Sequence, residues 1–158
     1  MSEEQKVKDL INVESETRLL FQLLKCSHFI EREANNILQG FGLKQQQFAV
    51  LNEIIWNGPV SQKELVDNLL FEKSNTSRIV KMLSEREYIQ VTVSAIDRRL
   101  TLLVETPKGF KKWSECLHAI NRVSAEFLST LSKKQTGRTI RRLKQLERSL
   151  DVKRKNST

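Results

Sequence analysis

Four polar side chains between residues 74 and 81 recur at the spacing of one helix face: Ser74, Ser77, Arg78 and Lys81. Asn75 lies beside them near the start of the same segment. Hydroxyl and amide groups can hydrogen-bond base edges or phosphates, and an arginine can bond guanine through two hydrogen bonds. The pattern therefore suits the major groove of DNA, although a solvated helix face would use the same residue types.

A second charged group, Asp97, Arg98 and Arg99, lies between the runs YIQVTVSA and LTLLVE, which are rich in β-branched and apolar residues. These runs predict two antiparallel strands with the three charges at the hairpin tip. An arginine there can bond phosphate or enter a narrow minor groove, whereas a carboxylate would repel phosphate. We therefore assign Asp97 to orienting the tip, by accepting hydrogen bonds from a neighbouring arginine or from the backbone. Either arginine could make the contact, and a solvated turn with a weak ion pair is the alternative.

The helix that precedes the polar face has a well-marked start. Ser61 is followed three residues later by Glu64, which predicts a capping box. Val60 and Leu65 stand at the positions of a hydrophobic staple. We expect this helix to reach about Leu70.

The polar face itself belongs to a second short helix, predicted to be capped by Ser74 and to run to about Arg86. Two short helices in succession are typical of a helix-turn-helix, and the hairpin that follows them would be a wing. We expect the inward side of the second helix to be formed by Thr76, Ile79, Val80 and Leu83.

Longer helices are predicted on both sides of this winged part. Apolar periodicity predicts helices over 13–38 and 45–56, ended by the glycines of QGFG and NGP. Thr106 and Pro107 mark the start of another helix that reaches about Thr130, and a last helix includes the apolar residues between 140 and 150. These outer helices could complete a monomeric core, but we favour a dimer interface that carries two DNA-reading heads.

Composition limits the class of protein. With 27 Lys and Arg against 19 Asp and Glu, the formal net charge is +8, which favours a polyanionic partner. No run is long and apolar enough to cross a membrane and no signal peptide begins the sequence, so we expect a cytoplasmic, nucleoid-associated protein. Metal-ligand and catalytic motifs are missing, so we expect neither an enzyme nor a bound cofactor or metal.

Two cysteines and two histidines stand alone in the sequence. We expect Cys26 and Cys116 to be buried, inert thiols. The alternative is that Cys26 acts as a redox sensor. His28 and His118 are interpreted as helix-surface or interface residues rather than ligands.

Three segments resemble the multiple-antibiotic-resistance regulator (MarR) family of bacterial transcription factors: GLKQQQFAVL (42–51), SQKELVDNLLFEKSNTSRIVKML (61–83) and DRRLTLLVETPKG (97–109). The last contains a D-x-R wing tip followed by Thr-x-x-Gly at the spacing of the family. Order and spacing together carry the resemblance, which extends over nearly the whole chain.

The resemblance implies a mainly α fold with a small β-hairpin wing, forming one domain over 1–158. Within it, 45–105 would be the winged helix-turn-helix, and 8–42 and 106–150 the helical dimerisation part. It further implies a homodimeric repressor on a pseudo-palindromic operator in double-stranded DNA. Release would follow from a small effector, often phenolic or otherwise aromatic, or from thiol oxidation.

The sequence departs from the family pattern at three positions. Glu87 replaces a common glycine, Lys44 replaces a hydroxyl cap, and Glu105 replaces an apolar strand residue.

Pattern and resemblance together define a set of DNA-contacting residues. A winged helix used as a protein-interaction module is the alternative function. The residues assigned to DNA contact are Ser61, Gln62, Ser74, Asn75, Thr76, Ser77, Arg78, Lys81, Arg98 and Arg99.

Overall fold

The computed structural model describes the backbone of residues 15–156, and the side chains of residues 15–151. Its elements confirm the predicted class, mainly α with a β-hairpin wing; the predicted helix start near residue 13 lies outside the described part. The chain divides after Leu117 into two compact units. The elements are α1 (Ser15–Gln39), α2 (Gln45–Asn57), α3 (Gln62–Leu69), α4 (Lys73–Glu85), β1 (Ile89–Val93), β2 (Thr101–Glu105), α5 (Pro107–Phe127) and α6 (Lys133–Asn156).

The core of the first unit joins the end of α1 to α2, α3, α4 and the hairpin. Apolar side chains from each of these elements are buried together, which removes their surface from water and fixes the helix-turn-helix as one body. The predicted inward side of α4 is confirmed, because all four of its residues are buried. Other fully buried side chains are Leu38, Val50, Leu51, Ile54 and Leu65.

The start of α3 forms as predicted. The Glu64 backbone N–H donates to the Ser61 hydroxyl at 3.2 Å, and the Ser61 backbone N–H donates to the Glu64 carboxylate at 2.7 Å. Hydrogen bonds from the backbone and hydroxyl of Ser61 lower the pKa of Glu64. Val60 also exchanges backbone hydrogen bonds with Leu103 of β2, so the staple residue attaches α3 to the wing.

The predicted cap of α4 is wrong by two residues. The helix begins at Lys73 with Glu72 at the N-cap, whose side chain makes no capping hydrogen bond. The preceding helix, α3, ends at Leu69, and its C-cap Leu70 is left-handed (φ 55°), so only three residues, 70–72, separate the two helices. Ser74 therefore lies within the first turn of α4, where its hydroxyl is exposed.

The end of α4 keeps the shape that a glycine would give, although Glu87 occupies the position. Glu87 adopts φ 60°, and the backbone N–H of Tyr88 donates to the carbonyl of Leu83 at 2.9 Å, which closes a Schellman turn. The Lys108 ammonium donates to the Glu87 carboxylate at 2.6 Å and lowers the pKa of Glu87. Arg86 donates to the Gly42 carbonyl at 2.7 Å and ties this turn to the one before α2.

A side chain from α1 supplies the cap that Lys44 lacks. The backbone N–H of Gln45, the first residue of α2, donates to the Asn35 side-chain oxygen at 2.9 Å. The Lys44 backbone N–H donates to the Gln47 side chain at 2.9 Å. Because neither bond needs an acceptor on Lys44, α2 begins where it was predicted.

The wing consists of β1 and β2, paired antiparallel from Ile89 opposite Glu105 to Val93 opposite Thr101. The strand therefore extends through Glu105 despite its charge. Thr106 caps α5 as predicted, since its hydroxyl accepts from the Gly109 backbone N–H at 3.0 Å. A Cβ on Gly109 would lie 1.9 Å from the Tyr88 carbonyl oxygen, so only glycine allows α5 this close to the end of α4.

The second unit contains the end of α5 and α6. α5 ends at Phe127, three residues before the predicted Thr130. Ser132 and Gln135 form a capping box at the start of α6, with the Ser132 backbone N–H donating to Gln135 at 2.8 Å. α6 continues to Asn156, beyond the predicted apolar segment. Among the described helices, none combines the length and apolar character needed to cross a bilayer.

Candidate DNA interface

The outward face of α4 is formed as the sequence predicted. Ser74, Ser77, Arg78 and Lys81 are exposed, and Asn75 is half-buried beside them. Thr76 does not belong to this face: it is 0% exposed, and its hydroxyl donates to the Glu72 carbonyl at 3.2 Å. Its assignment to DNA contact is therefore wrong, because the helix turns this side chain into the core.

Arg78 is held by a chain of hydrogen bonds that reaches α2. Its guanidinium donates to the Asn75 side-chain oxygen at 2.9 Å, and the Asn75 amide donates to the Gln46 side-chain oxygen at 3.0 Å. Asn75 thus restricts the arginine through one end of its amide and is itself fixed through the other. Sequence reasoning missed Gln46, because Gln46 and Asn75 lie 29 residues apart and no local pattern connects them.

A second contact joins α3 to the outward face of α4. The Gln62 side-chain amide donates to the Ser77 hydroxyl, and that hydroxyl donates to the Lys73 carbonyl at 2.9 Å. The Lys81 ammonium lies 3.8 Å from the Glu85 carboxylate on the same helix, and both side chains are exposed. The structure therefore brings together two predicted contact residues from different helices, Gln62 and Ser77, on the same exposed surface.

Ser61 is occupied by its structural role. Its side chain is used in the capping box of α3, and the residue is only 7% exposed. This corrects the prediction that its hydroxyl contacts DNA. A serine at the first turn of a helix can cap the helix or bind a phosphate, and the glutamate three residues later indicated the cap.

The wing tip is organised by two side-chain acceptors. The Asp97 carboxylate accepts the Arg99 backbone N–H at 2.9 Å, and the Asp97 carbonyl accepts the Leu100 N–H at 2.9 Å. The Ser94 hydroxyl accepts from the backbone N–H groups of Ile96 and Asp97, at 3.2 and 3.3 Å. Of the two roles open to Asp97, the structure shows the hydrogen bond to the backbone; Ser94 was not foreseen.

Both wing arginines extend into solvent. Arg98 and Arg99 are exposed, and neither forms an ion pair within the described part of the chain. Their guanidinium groups are therefore available to an external anion, and Asp97 fixes the backbone from which Arg99 projects.

The two cysteine thiols, Cys26 and Cys116, differ in their exposure to solvent. Cys116 is buried as expected, and burial raises the pKa of its thiol to about 11, so the reactive thiolate is scarce at neutral pH. Cys26 is exposed on α1, where the Gln22 amide lies 3.6 Å from its sulfur, so the expectation of a buried Cys26 is wrong for the single chain.

Both histidines, His28 and His118, are exposed on helices. In the described residues, no group of three or more His, Cys, Asp or Glu side chains could hold a metal.

A helix-turn-helix with a paired β-hairpin and a polar outward helix face defines a winged-helix DNA-binding protein. The sequence profile of the MarR family matches residues 41–100, which span the turn before α2 through the wing tip. An uncharacterized HTH-type transcriptional regulator of Bacillus subtilis, YwoH, is 33% identical over 97 residues, covering 61% of this chain and 70% of that protein. The chain belongs to the MarR family of DNA-binding transcriptional regulators.

Solved structures share the fold over most of the chain. A MarR family transcriptional regulator from Silicibacter pomeroyi superimposes with a TM-score of 0.78 at 25% identity, covering 83% of this chain and 88% of that one. The organohalide-sensing regulator RdhR, in its 2,4-dichlorophenol-bound form, gives a TM-score of 0.73 at 20% identity, covering 90% and 85%. The second likeness establishes the fold alone.

Proposed function

We propose that this regulator is a homodimeric repressor that binds a pseudo-palindromic operator through α4 and the wing. The proposal rests on the difference between the two sides of α4. Its inward side is buried, while hydroxyl, amide and guanidinium groups occupy the outward side in an arrangement restrained by Gln46 and Gln62. Such restrained polar groups at the exposed face of a helix suit base edges in a major groove.

Apolar residues left exposed on single helices support the homodimer. On α1, large apolar side chains face solvent at helical spacing, and α6 carries a narrower stripe of the same kind. A second copy that covered these faces would remove them from water, as in an obligate helical interface. The exposed residues are Leu19, Leu20, Phe21, Leu24, Phe29 and Ile30 on α1 and Ile140, Leu143 and Leu150 on α6.

The dimer is tested by one substitution on α1. Leu24→Glu places a charge in the exposed apolar face without touching the core, so we expect the variant to sediment as a monomer with unchanged helix content. Lys25→Glu, at the adjacent exposed position, is the matched control and should remain dimeric. A wild-type protein that sedimented as a monomer at micromolar concentration would refute the homodimer.

Operator recognition is tested by selection from a random DNA library. The proposal predicts enrichment of an inverted repeat whose half-site centres lie one helical turn, or a multiple of it, apart. If no DNA sequence is enriched, the winged helix would instead serve as a protein-interaction module. A promoter that contains the selected operator should lose transcription when the protein is added; increased transcription would contradict the repressor role.

A small aromatic effector is proposed from the likeness to RdhR, which was solved with 2,4-dichlorophenol bound. We propose that a phenolic compound binds this chain and releases it from the operator. Titration of the operator complex with 2,4-dichlorophenol and related phenols should weaken DNA binding at a saturable concentration. Unchanged affinity across the series would remove this class of effector.

Redox control through Cys26 is the second candidate, favoured by the exposure of its sulfur. Hydrogen peroxide, reacting through the thiolate, converts a thiol to a sulfenic acid and one molecule of water; buried Cys116 resists this step because its thiol stays protonated. Peroxide should then weaken operator binding by the wild type but not by Cys26→Ser. Equal responses of the two proteins would exclude this candidate.

A further inference from the structure

The positive charge of the chain is concentrated in its last helix. α6 contains ten Lys and Arg residues against two acidic ones, Glu147 and Asp151, so its formal charge of +8 equals that of the whole chain. The winged part, 45–105, holds seven basic and eight acidic residues. The charge that favours a polyanionic partner therefore does not come from the part that carries the DNA-reading face.

Three arginines lie close together on one face of α6. Arg138, Arg141 and Arg142 lie with Gln145 at i, i+3, i+4 and i+7, and the four side chains line one groove. All four are exposed, and the Arg142 guanidinium lies 3.4 Å from the Gln145 side-chain oxygen. No ion pair in the described part of the chain involves these three arginines.

Three exposed apolar residues of α6 lie away from Arg138 and Arg141. At 100° per residue, Ile140, Leu143 and Leu150 fall about 100–180° from these two arginines, whereas Leu146 lies about 40° from Arg142. A helix partner that covered Ile140, Leu143 and Leu150 would therefore leave Arg138 and Arg141 in solvent.

We propose that the arginine face of α6 is a second, sequence-independent binding site for the phosphate backbone of double-stranded DNA. Arginine bonds phosphate in bidentate fashion, and neighbouring side chains on a helix present several such groups in a row. α6 is about 36 Å long at 1.5 Å per residue, close to one turn of DNA. Its sequence contains no aromatic residue, which argues against insertion at a lipid surface.

The test measures binding of the full chain to a random-sequence DNA duplex over a range of salt concentrations. Each phosphate contact contributes roughly 0.9 to the slope of log affinity against log salt, so R138Q/R141Q/R142Q should lower the slope by roughly 2.7. Glutamine supports a helix, and circular dichroism verifies that α6 is retained. Because the duplex contains no operator, the result does not depend on the residues that read bases.

A matched control removes the same charge elsewhere. R18Q/K25Q/K111Q changes three exposed cations on α1 and α5 and should keep the wild-type slope. An unchanged slope in the α6 triple variant, or an equal decrease in both triple variants, would overturn the proposal. If the α6 triple variant loses helix, Arg141→Gln alone should lower the slope by roughly 0.9, and an unchanged slope would be equally decisive.

Two further outcomes would assign the arginine face to another partner. Loss of binding to phosphatidylserine vesicles by R138Q/R141Q/R142Q, with an unchanged slope on DNA, would replace DNA by an anionic lipid. Loss of self-association with an unchanged slope would show that the arginines pair with a second copy of the chain. Either result overturns the DNA site.

Discussion

At the scale of single residues, Asp97 shows how a carboxylate can organise the backbone of a turn that carries two arginines. It lies beside two arginines, where its charge would repel phosphate, yet it accepts the Arg99 backbone N–H at 2.9 Å. Its geometric role can therefore be separated from its charge. Asparagine retains a side-chain oxygen acceptor without the charge, and alanine retains neither.

This separation predicts opposite behaviour for two substitutions. Asp97→Asn should bind the operator at least as tightly as the wild type, because the turn is kept and a negative charge is removed. Asp97→Ala should bind roughly fivefold more weakly, the equivalent of one hydrogen bond of about 1 kcal/mol. Equilibrium titration of the three proteins measures this. Equal weakening by both variants would show that the charge, and not the turn, is the function of Asp97.

Residue roles were predictable where local spacing determined them. The exposure of Ser74, Ser77, Arg78 and Lys81 and the burial of Ile79, Val80 and Leu83 follow from helix periodicity. The contact of Gln46 with Asn75 depends on how two helices pack, which periodicity does not specify. The errors at Ser61 and Thr76 have a common cause, since a hydroxyl can bond DNA or the helix that carries it.

At the scale of elements, the helix ends that are marked by a local sequence pattern were predicted best. The capping box at Ser61 and the Thr106–Pro107 start lie at their expected positions, and Gly42 adopts a positive φ of 72° in the turn predicted from QGFG. The start of α4 was misplaced because a left-handed Leu70 shortens the turn, a conformation that leucine rarely adopts. The bridge between Val60 and Leu103 was missed because the two residues are far apart in sequence.

Gly109 gives a prediction about the junction of α4, the wing and α5. Gly109→Ala would place a methyl group 1.9 Å from the Tyr88 carbonyl oxygen, so the helix must shift and we expect a loss of about 1–3 kcal/mol in the free energy of unfolding. Chemical denaturation measures this loss. The matched control is Gly137→Ala in α6, where nothing lies within 4 Å and alanine should stabilise the helix by up to about 1 kcal/mol. A Gly109→Ala protein as stable as the wild type would show that this close approach does not constrain α5.

At the scale of the whole molecule, the excess positive charge and the outward face of α4 lie in different parts of the chain. Composition indicated a polyanionic partner, but it could not show that the winged part has no excess of basic residues. Specificity would then depend on a few positioned groups on α4, while α6 supplies long-range attraction and phosphate contacts. This division agrees with the physics of DNA binding, in which phosphate contacts give affinity and base contacts give specificity.

The outward face of α4 is proposed to read bases in a twofold-symmetric operator. The most direct measurement is the affinity of the wild type, Arg78→Ala and the control Lys63→Ala for the selected operator and each of its single-base variants. The wild type and Lys63→Ala should discriminate at every half-site position. Arg78→Ala should lose about 1–3 kcal/mol of discrimination at one base pair and at its symmetry mate. Unchanged discrimination by Arg78→Ala at every position would show that this face of α4 does not read bases.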